Sequence, residues 1–154
     1  MKRIMFVCHG NICRSPMAEF IMKRLVSERG LGDKYLIASS ATSTEEIGNP
    51  VYPPARRELA KRGITDVDGK LATQLTRADG EKYDVFVGMD SANIRNMRRI
   101  LGEGLSGKIY KMMSFVGSDA DVADPWYYGG FDAVFDEISR AAEAMLDALE
   151  GGEL

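Results

Sequence analysis

Cysteine is scarce in this chain: only Cys8 and Cys13 occur, and His9 is the one histidine. Two thiols in one short loop cannot build a disulfide framework. Zinc takes about four ligands, so these three residues fall short and no metal site is expected. A positive excess is missing as well. Lysine and arginine number 20 against 23 aspartates and glutamates, a net charge of -3, which gives no general attraction to nucleic acid or an anionic membrane. Long hydrophobic runs are absent too, and nothing approaches the roughly 20 apolar residues of a membrane span. Met1-Lys2-Arg3 leads at once into Ile4-Met5-Phe6-Val7, an apolar run too short for a signal peptide. The expectation is a single domain over residues 1–154 in the cytoplasm, monomeric, without cofactor and without nucleic-acid or membrane partners.

What is present alternates between strand and helix patterns. Strands are expected at Ile4–Val7, Tyr35–Ser39, Asp84–Val87 and Ile109–Met112. Helices are expected at Pro16–Arg29, Ala55–Arg62, Ser91–Leu101 and Phe131–Leu149. Alternating β and α units imply an α/β fold with a parallel sheet and helices on both faces. Thr42–Pro54 reads as a surface loop on the active face, and Gly151–Leu154 as a frayed tail. The stretch Met89–Met97 reads as core and helix surface, and Glu143, Asp147 and Glu150 as a solvated helix face.

Directly behind the first strand stands Val7-Cys8-His9-Gly10-Asn11-Ile12-Cys13-Arg14-Ser15-Pro16. Ser15-Pro16 has the form of a helix N-terminus, with Ser as cap and Pro at the first helical position. N–H groups of His9 to Ser15, placed between strand and helix, would converge on one point and cradle an anion. Arg14 adds a planar fork that matches two oxyanion oxygens. The same positive field favours the thiolate of Cys8, a nucleophile inside an anion site. A mononucleotide P-loop is excluded, because no Gly-Lys-Ser or Gly-Lys-Thr follows the strand.

That ten-residue string resembles the phosphate-binding loop of the low-molecular-weight protein tyrosine phosphatases. A second motif, Asp124-Pro125-Trp126-Tyr127, resembles the same family's general-acid loop. Weaker likeness runs through Ser39-Ser40-Ala41, Gly63-Ile64 and Met89-Asp90-Ser91-Ala92-Asn93. The resemblance implies a three-layer fold with four parallel strands in the order 2-1-3-4. It implies Cys8 as nucleophile, Arg14 on the phosphate and Asp124 as general acid, acting on a phosphotyrosine-containing protein. Asp119 and Asp121 compete with Asp124, but neither precedes proline and an aromatic pair. Trp126 and Tyr127 would wall the substrate pocket, with His9 at its rim. Ser15 would also donate to the Cys8 thiolate, and Asn11 would adopt a left-handed backbone tied to Ser40, both supporting the loop. Cys13 would trap an oxidised Cys8 as a reversible disulfide.

One departure concerns the Thr44-Glu45-Glu46 loop, where eukaryotic members commonly place a tryptophan and this chain has Glu45. Other members of the fold are arsenate reductases, which need further cysteines that this chain lacks. Protein-arginine phosphatases carry a small threonine where Ile12 stands here. A non-catalytic phosphate-binding module would need a damaged Cys, Arg or Asp, and all three are intact.

Overall fold

A computed structural model describes residues 1–154. Strand β1 (Lys2–Cys8) pairs in parallel with β2 (Tyr35–Ala41) and β3 (Val85–Gly88), and β4 (Ile109–Lys111) completes the order β2-β1-β3-β4. Six helices accompany the strands: α1 (Arg14–Glu28), α2 (Pro53–Lys61), α3 (Asp79–Lys82) and α4 (Ser91–Leu101) between them, and α5 (Pro125–Tyr128) and α6 (Phe131–Glu150) after the last. None is long and apolar enough to cross a membrane.

The apolar run in β1 follows from its central place, with neighbours at both edges and cover on both faces. Ile4, Phe6 and Cys8 face the larger core cluster shared with α1 and α6, while Met5 and Val7 face a smaller one with Phe86, Met97 and Leu101. In α6 the buried residues Val134, Ile138, Ala141, Met145 and Leu149 recur at helical spacing and form one stripe. Met89 and Met97 are fully buried, as their apolar neighbourhood suggested.

Helix α4 has the expected bounds because its caps are written locally. Asp90 accepts from the Asn93 N–H at 2.7 Å, Asn93 Oδ1 accepts from the Asp90 N–H at 3.1 Å, and Gly102 at φ 95° ends the helix. Ser15, by contrast, is not a helix cap. Helix α1 starts at Arg14 behind Cys13, with no side-chain cap, and the Ser15 hydroxyl turns toward Cys8. Its position in the second helical residue points it back under the loop rather than over the helix end. Strand β4 stops at Lys111, since Met112–Val116 tighten into a 3₁₀ turn. The tail does not fray: Glu153 N–H donates to the Ala148 carbonyl at 2.9 Å and Lys2 Nζ donates to that of Leu154 at 2.7 Å. Glu150 and Asp147 are likewise engaged, with Lys34 at 3.0 Å and Arg29 at 2.7 Å.

The 42–54 loop is stapled rather than loose. Gly48 N–H donates to the Ala72 carbonyl at 2.9 Å, and Ala72 N–H returns a bond to Asn49 at 2.8 Å. That pairing holds the loop beside the carboxyl end of β1, where the strand order reverses and α/β sheets open a crevice.

Candidate active site

Cys8 closes β1, and residues 9–13 curl around its sulfur. The Asn11 N–H donates to Cys8 Sγ at 3.3 Å, and Ser15 Oγ lies 3.0 Å from the same atom. The N–H groups of Gly10, Ile12, Cys13 and Arg14 make no backbone hydrogen bond within the protein. Such a curl needs one residue in the left-handed region, and Asn11, at φ 59°, is the only non-glycine residue there.

The Asn11 side chain fixes the direction of the polar network beneath the loop. Its Nδ2 donates to Ser15 Oγ at 2.8 Å and to Ser39 Oγ at 2.9 Å, while its Oδ1 accepts from the Thr73 N–H at 3.1 Å. Ser39 in turn donates to the buried Glu19 carboxylate at 2.6 Å. Because Ser15 Oγ already accepts a hydrogen bond from Asn11, its own hydrogen is free for Cys8 Sγ, the Ser40 carbonyl at 3.4 Å being a poorer acceptor. The serine tied to Asn11 is therefore Ser39, a correction to the expected Ser40. Adjacent strand residues point to opposite faces of the sheet. Ser39 pairs with Phe6 on the α1 face, whereas Ser40 pairs with Val7 and leaves its hydroxyl without a partner.

Arg14 is buried, with Nη1 donating to Asp90 Oδ2 at 2.8 Å and to the Val122 carbonyl at 2.9 Å. Its Nη2 is 3.5 Å from Asp124 Oδ2. Burial works against the guanidinium charge, but the charges of Cys8, Asp90 and Asp124 outweigh it and hold Arg14 above its usual range. One nitrogen thus anchors the side chain, and the remaining edge of the fork faces the cleft.

Asp124 approaches from the opposite wall. Its Oδ1 accepts from the Trp126 N–H at 3.1 Å and so starts α5, leaving Oδ2 toward the cleft. The segment carrying it is tied down by Val122 N–H on the Met89 carbonyl at 2.9 Å and by Lys111 with Asp121 at 2.7 Å. Hydrogen bonding from Lys111 lowers the Asp121 pKa and commits that carboxylate elsewhere, so it does not compete with Asp124 for the pocket.

Ile12, Trp126 and Tyr127 give the cleft apolar walls, and Glu45 and Glu46 give it a carboxylate rim. His9 sits at that rim, half-exposed, with Nε2 2.9 Å from Glu45 Oε2. Cys13 lines the same cleft; burial, then the neighbouring Cys8 and Asp124, push its pKa far up, so it stays a thiol. No cluster of His, Cys, Asp and Glu is placed to hold a metal ion.

Four neighbours of the site escaped the sequence reading. Asp90 stands in a stretch of weak family likeness that assigns it no role, although its Asn93 box gives a local signal. Ser39 stands in another such stretch, but only the register of β2 against α1 separates it from Ser40, and Glu19 has no signal at all. Tyr52 backs Trp126, with ring centroids 4.5 Å apart, and nothing in the 42–54 loop marks it.

A family model described as low molecular weight phosphotyrosine protein phosphatase matches residues 3–152. The low molecular weight protein-tyrosine-phosphatase YfkJ of Bacillus subtilis is 37% identical over 152 residues, covering 97% of each chain. The crystal structure of a protein tyrosine phosphatase from Entamoeba histolytica superposes with a TM-score of 0.94 at 32% identity, covering 100% of both chains. A Drosophila arginine phosphatase superposes with a TM-score of 0.86 at 27% identity, over 97% of this chain and 98% of that one.

Proposed function

The chain belongs to the low molecular weight phosphotyrosine protein phosphatases, and from that premise we propose that it hydrolyses phosphotyrosine monoesters in proteins through a phosphocysteine on Cys8. The observation that carries this reading is the convergence on one cleft of the Cys8 sulfur, unbonded loop N–H groups, the Arg14 fork and the Asp124 carboxyl. Hydrolysis then proceeds as two in-line displacements. In the first, Cys8 Sγ attacks phosphorus while the amides of Gly10, Ile12, Cys13 and Arg14 and the Arg14 guanidinium hold the equatorial oxygens, whose charge they match in the transition state. Asp124, protonated, gives its proton to the departing phenolate oxygen, and the S–P bond replaces the O–P bond. In the second, Asp124 as carboxylate takes a proton from water as that water attacks phosphorus. The Cys8 thiolate leaves, stabilised by the Ser15 hydroxyl and the Asn11 N–H.

Ile12 supports tyrosine over arginine as the phosphorylated residue. Its branched side chain beside Trp126 and Tyr127 makes an apolar wall that suits a phenyl ring, whereas a guanidinium against that wall would give up hydrogen bonds to water. Competing phosphotyrosine and phosphoarginine peptides of one sequence test this. Higher kcat/KM on phosphotyrosine, with the ratio falling in Ile12→Thr, is expected. A preference for phosphoarginine in the unaltered protein would overturn the assignment.

A further inference from the structure

Charge is unevenly spread over this acidic protein. The stretch Ser91–Ser118 holds five of its 20 lysines and arginines but only one of its 23 aspartates and glutamates, Glu103. Three of those cations, Arg95 and Arg98 on α4 and Lys111 on β4, line one groove together with Ser91, Ile94 and Ile109. Lys111 is matched by Asp121 at 2.7 Å. Arg95 and Arg98 are exposed and one helical turn apart, and neither takes part in an ion pair, so two guanidinium groups share a groove with no counter-charge.

This groove adjoins, through Ser91 and Lys111 on Asp121, a depression that reaches the cleft at Cys8. Helix α4 is capped by Asp90, which holds Arg14, and the Ser91 N–H donates to Asp121 Oδ1 at 3.1 Å. Asp121 in turn lines a second depression with Ala92, Asn96 and Tyr128 that reaches Arg14 and Asp124. A substrate chain leaving the cleft on the α4 side therefore runs toward Arg95 and Arg98. The opposite side, on the loop after β2, carries Glu45 and Glu46.

We propose that the α4–β4 groove docks an acidic segment of the phosphoprotein substrate, whose carboxylates or phosphates pair with Arg95 and Arg98. The inference rests on the phosphatase reading and adds the kind of substrate. Arg95 and Arg98 stand five and eight residues beyond Asp90, about 8 and 12 Å along the helix axis. An extended peptide covers about 3.3 Å per residue, so the acidic side chains fall roughly two to four residues past Asp90, or about three to five positions from the phosphotyrosine once one residue spans from the cleft to Asp90. A peptide suits the groove better than a membrane or nucleic acid. Arg95 and Arg98 line a depression between helix and strand rather than a broad basic face, and the net charge of -3 works against any larger polyanion.

The test compares the unaltered protein with Arg95→Glu/Arg98→Glu on two phosphotyrosine peptides, one with aspartates and one with serines three to five positions on either side. Both proteins should turn over p-nitrophenyl phosphate equally, since these arginines lie outside the cleft. The unaltered protein should favour the acidic peptide about three- to tenfold in KM, the scale of two exposed charge contacts. That preference should vanish in the variant and fade at about 0.5 M salt, as screening shortens the range of the charges. No preference, or the same preference in both proteins, overturns the docking site. If the unaltered protein fails on p-nitrophenyl phosphate, it is the phosphatase reading that falls. Fluorescence anisotropy of the labelled acidic peptide on Cys8→Ser protein, with and without the two arginines, then decides docking by itself. Arginine-dependent binding to phosphatidylglycerol vesicles or single-stranded DNA, without a peptide preference, would assign the groove to another partner and refute the proposal.

Discussion

Replacing Asn11 by alanine strikes the loop at the point where backbone and side chain are both committed. Three hydrogen bonds disappear, to Ser15 at 2.8 Å, to Ser39 at 2.9 Å and from the Thr73 N–H at 3.1 Å. Each contributes about 1 kcal/mol net, and the buried partners left behind push the loss toward the upper end. Alanine at φ 59° adds about 1 kcal/mol of left-handed strain. The expected destabilisation is about 4 kcal/mol, which lowers Tm by about 8–16 °C for a domain of this size. Catalysis suffers separately. Without the hydrogen bond from Asn11, Ser15 Oγ is free to turn its hydrogen away from Cys8, and a hydrogen bond to a charged group contributes about 1.5–3 kcal/mol. That corresponds to a loss of about 10- to 100-fold in kcat. Differential scanning calorimetry and steady-state kinetics at a temperature where the variant is folded read the two effects independently. A Tm within about 2 °C of the parent together with kcat within about twofold would refute the account of this network.

Asp124→Asn should reduce turnover of phosphotyrosine by about 10²- to 10⁴-fold, and the loss should shrink for leaving groups of low pKa that need no proton; equal losses across a leaving-group series exclude Asp124 as donor. Mild peroxide should convert Cys8 to a sulfenic acid that condenses with the Cys13 thiol, releasing water and forming a disulfide that a thiol reductant reopens. Mass spectrometry should find that disulfide, and Cys13→Ser should recover less activity after the same exposure. Glu45→Gln with Glu46→Gln should weaken binding of peptides with basic residues on the 42–54 side by a few tenths to about 1 kcal/mol per contact, read as KM on matched peptides at low salt; an unchanged ratio means both carboxylates serve only solvent and His9.

The loop and its chemistry were legible because they are contiguous. Cys8 to Ser15 carry a thiol, loop amides and a guanidinium in one stretch, and a strand before it with a helix after it suffices to aim them at one point. Asp124 was legible from Asp-Pro followed by aromatics, a pattern that also starts α5. The strand order came from resemblance, since alternating elements alone leave it open, and the parallel sheet bears it out. What stayed hidden depends on register and long-range closure. Choosing Ser39 over Ser40 needs the face of β2 that meets α1. Asp90 reaches Arg14 across 76 residues, and Tyr52 reaches Trp126 only because the 42–54 loop is pinned to Ala72. Short helices such as α3 and α5 lack enough residues for a periodic signal.

The covalent intermediate is the point on which everything else depends. Rapid acid quench during turnover of a phosphotyrosine peptide, followed by peptide mass spectrometry, reads it directly. One phosphoryl group should appear on Cys8, accumulating when Asp124→Asn slows the water attack and vanishing in Cys8→Ser. Undiminished hydrolysis by Cys8→Ser, or turnover with no phosphoryl group on Cys8 under any quench time, would contradict the mechanism at its root.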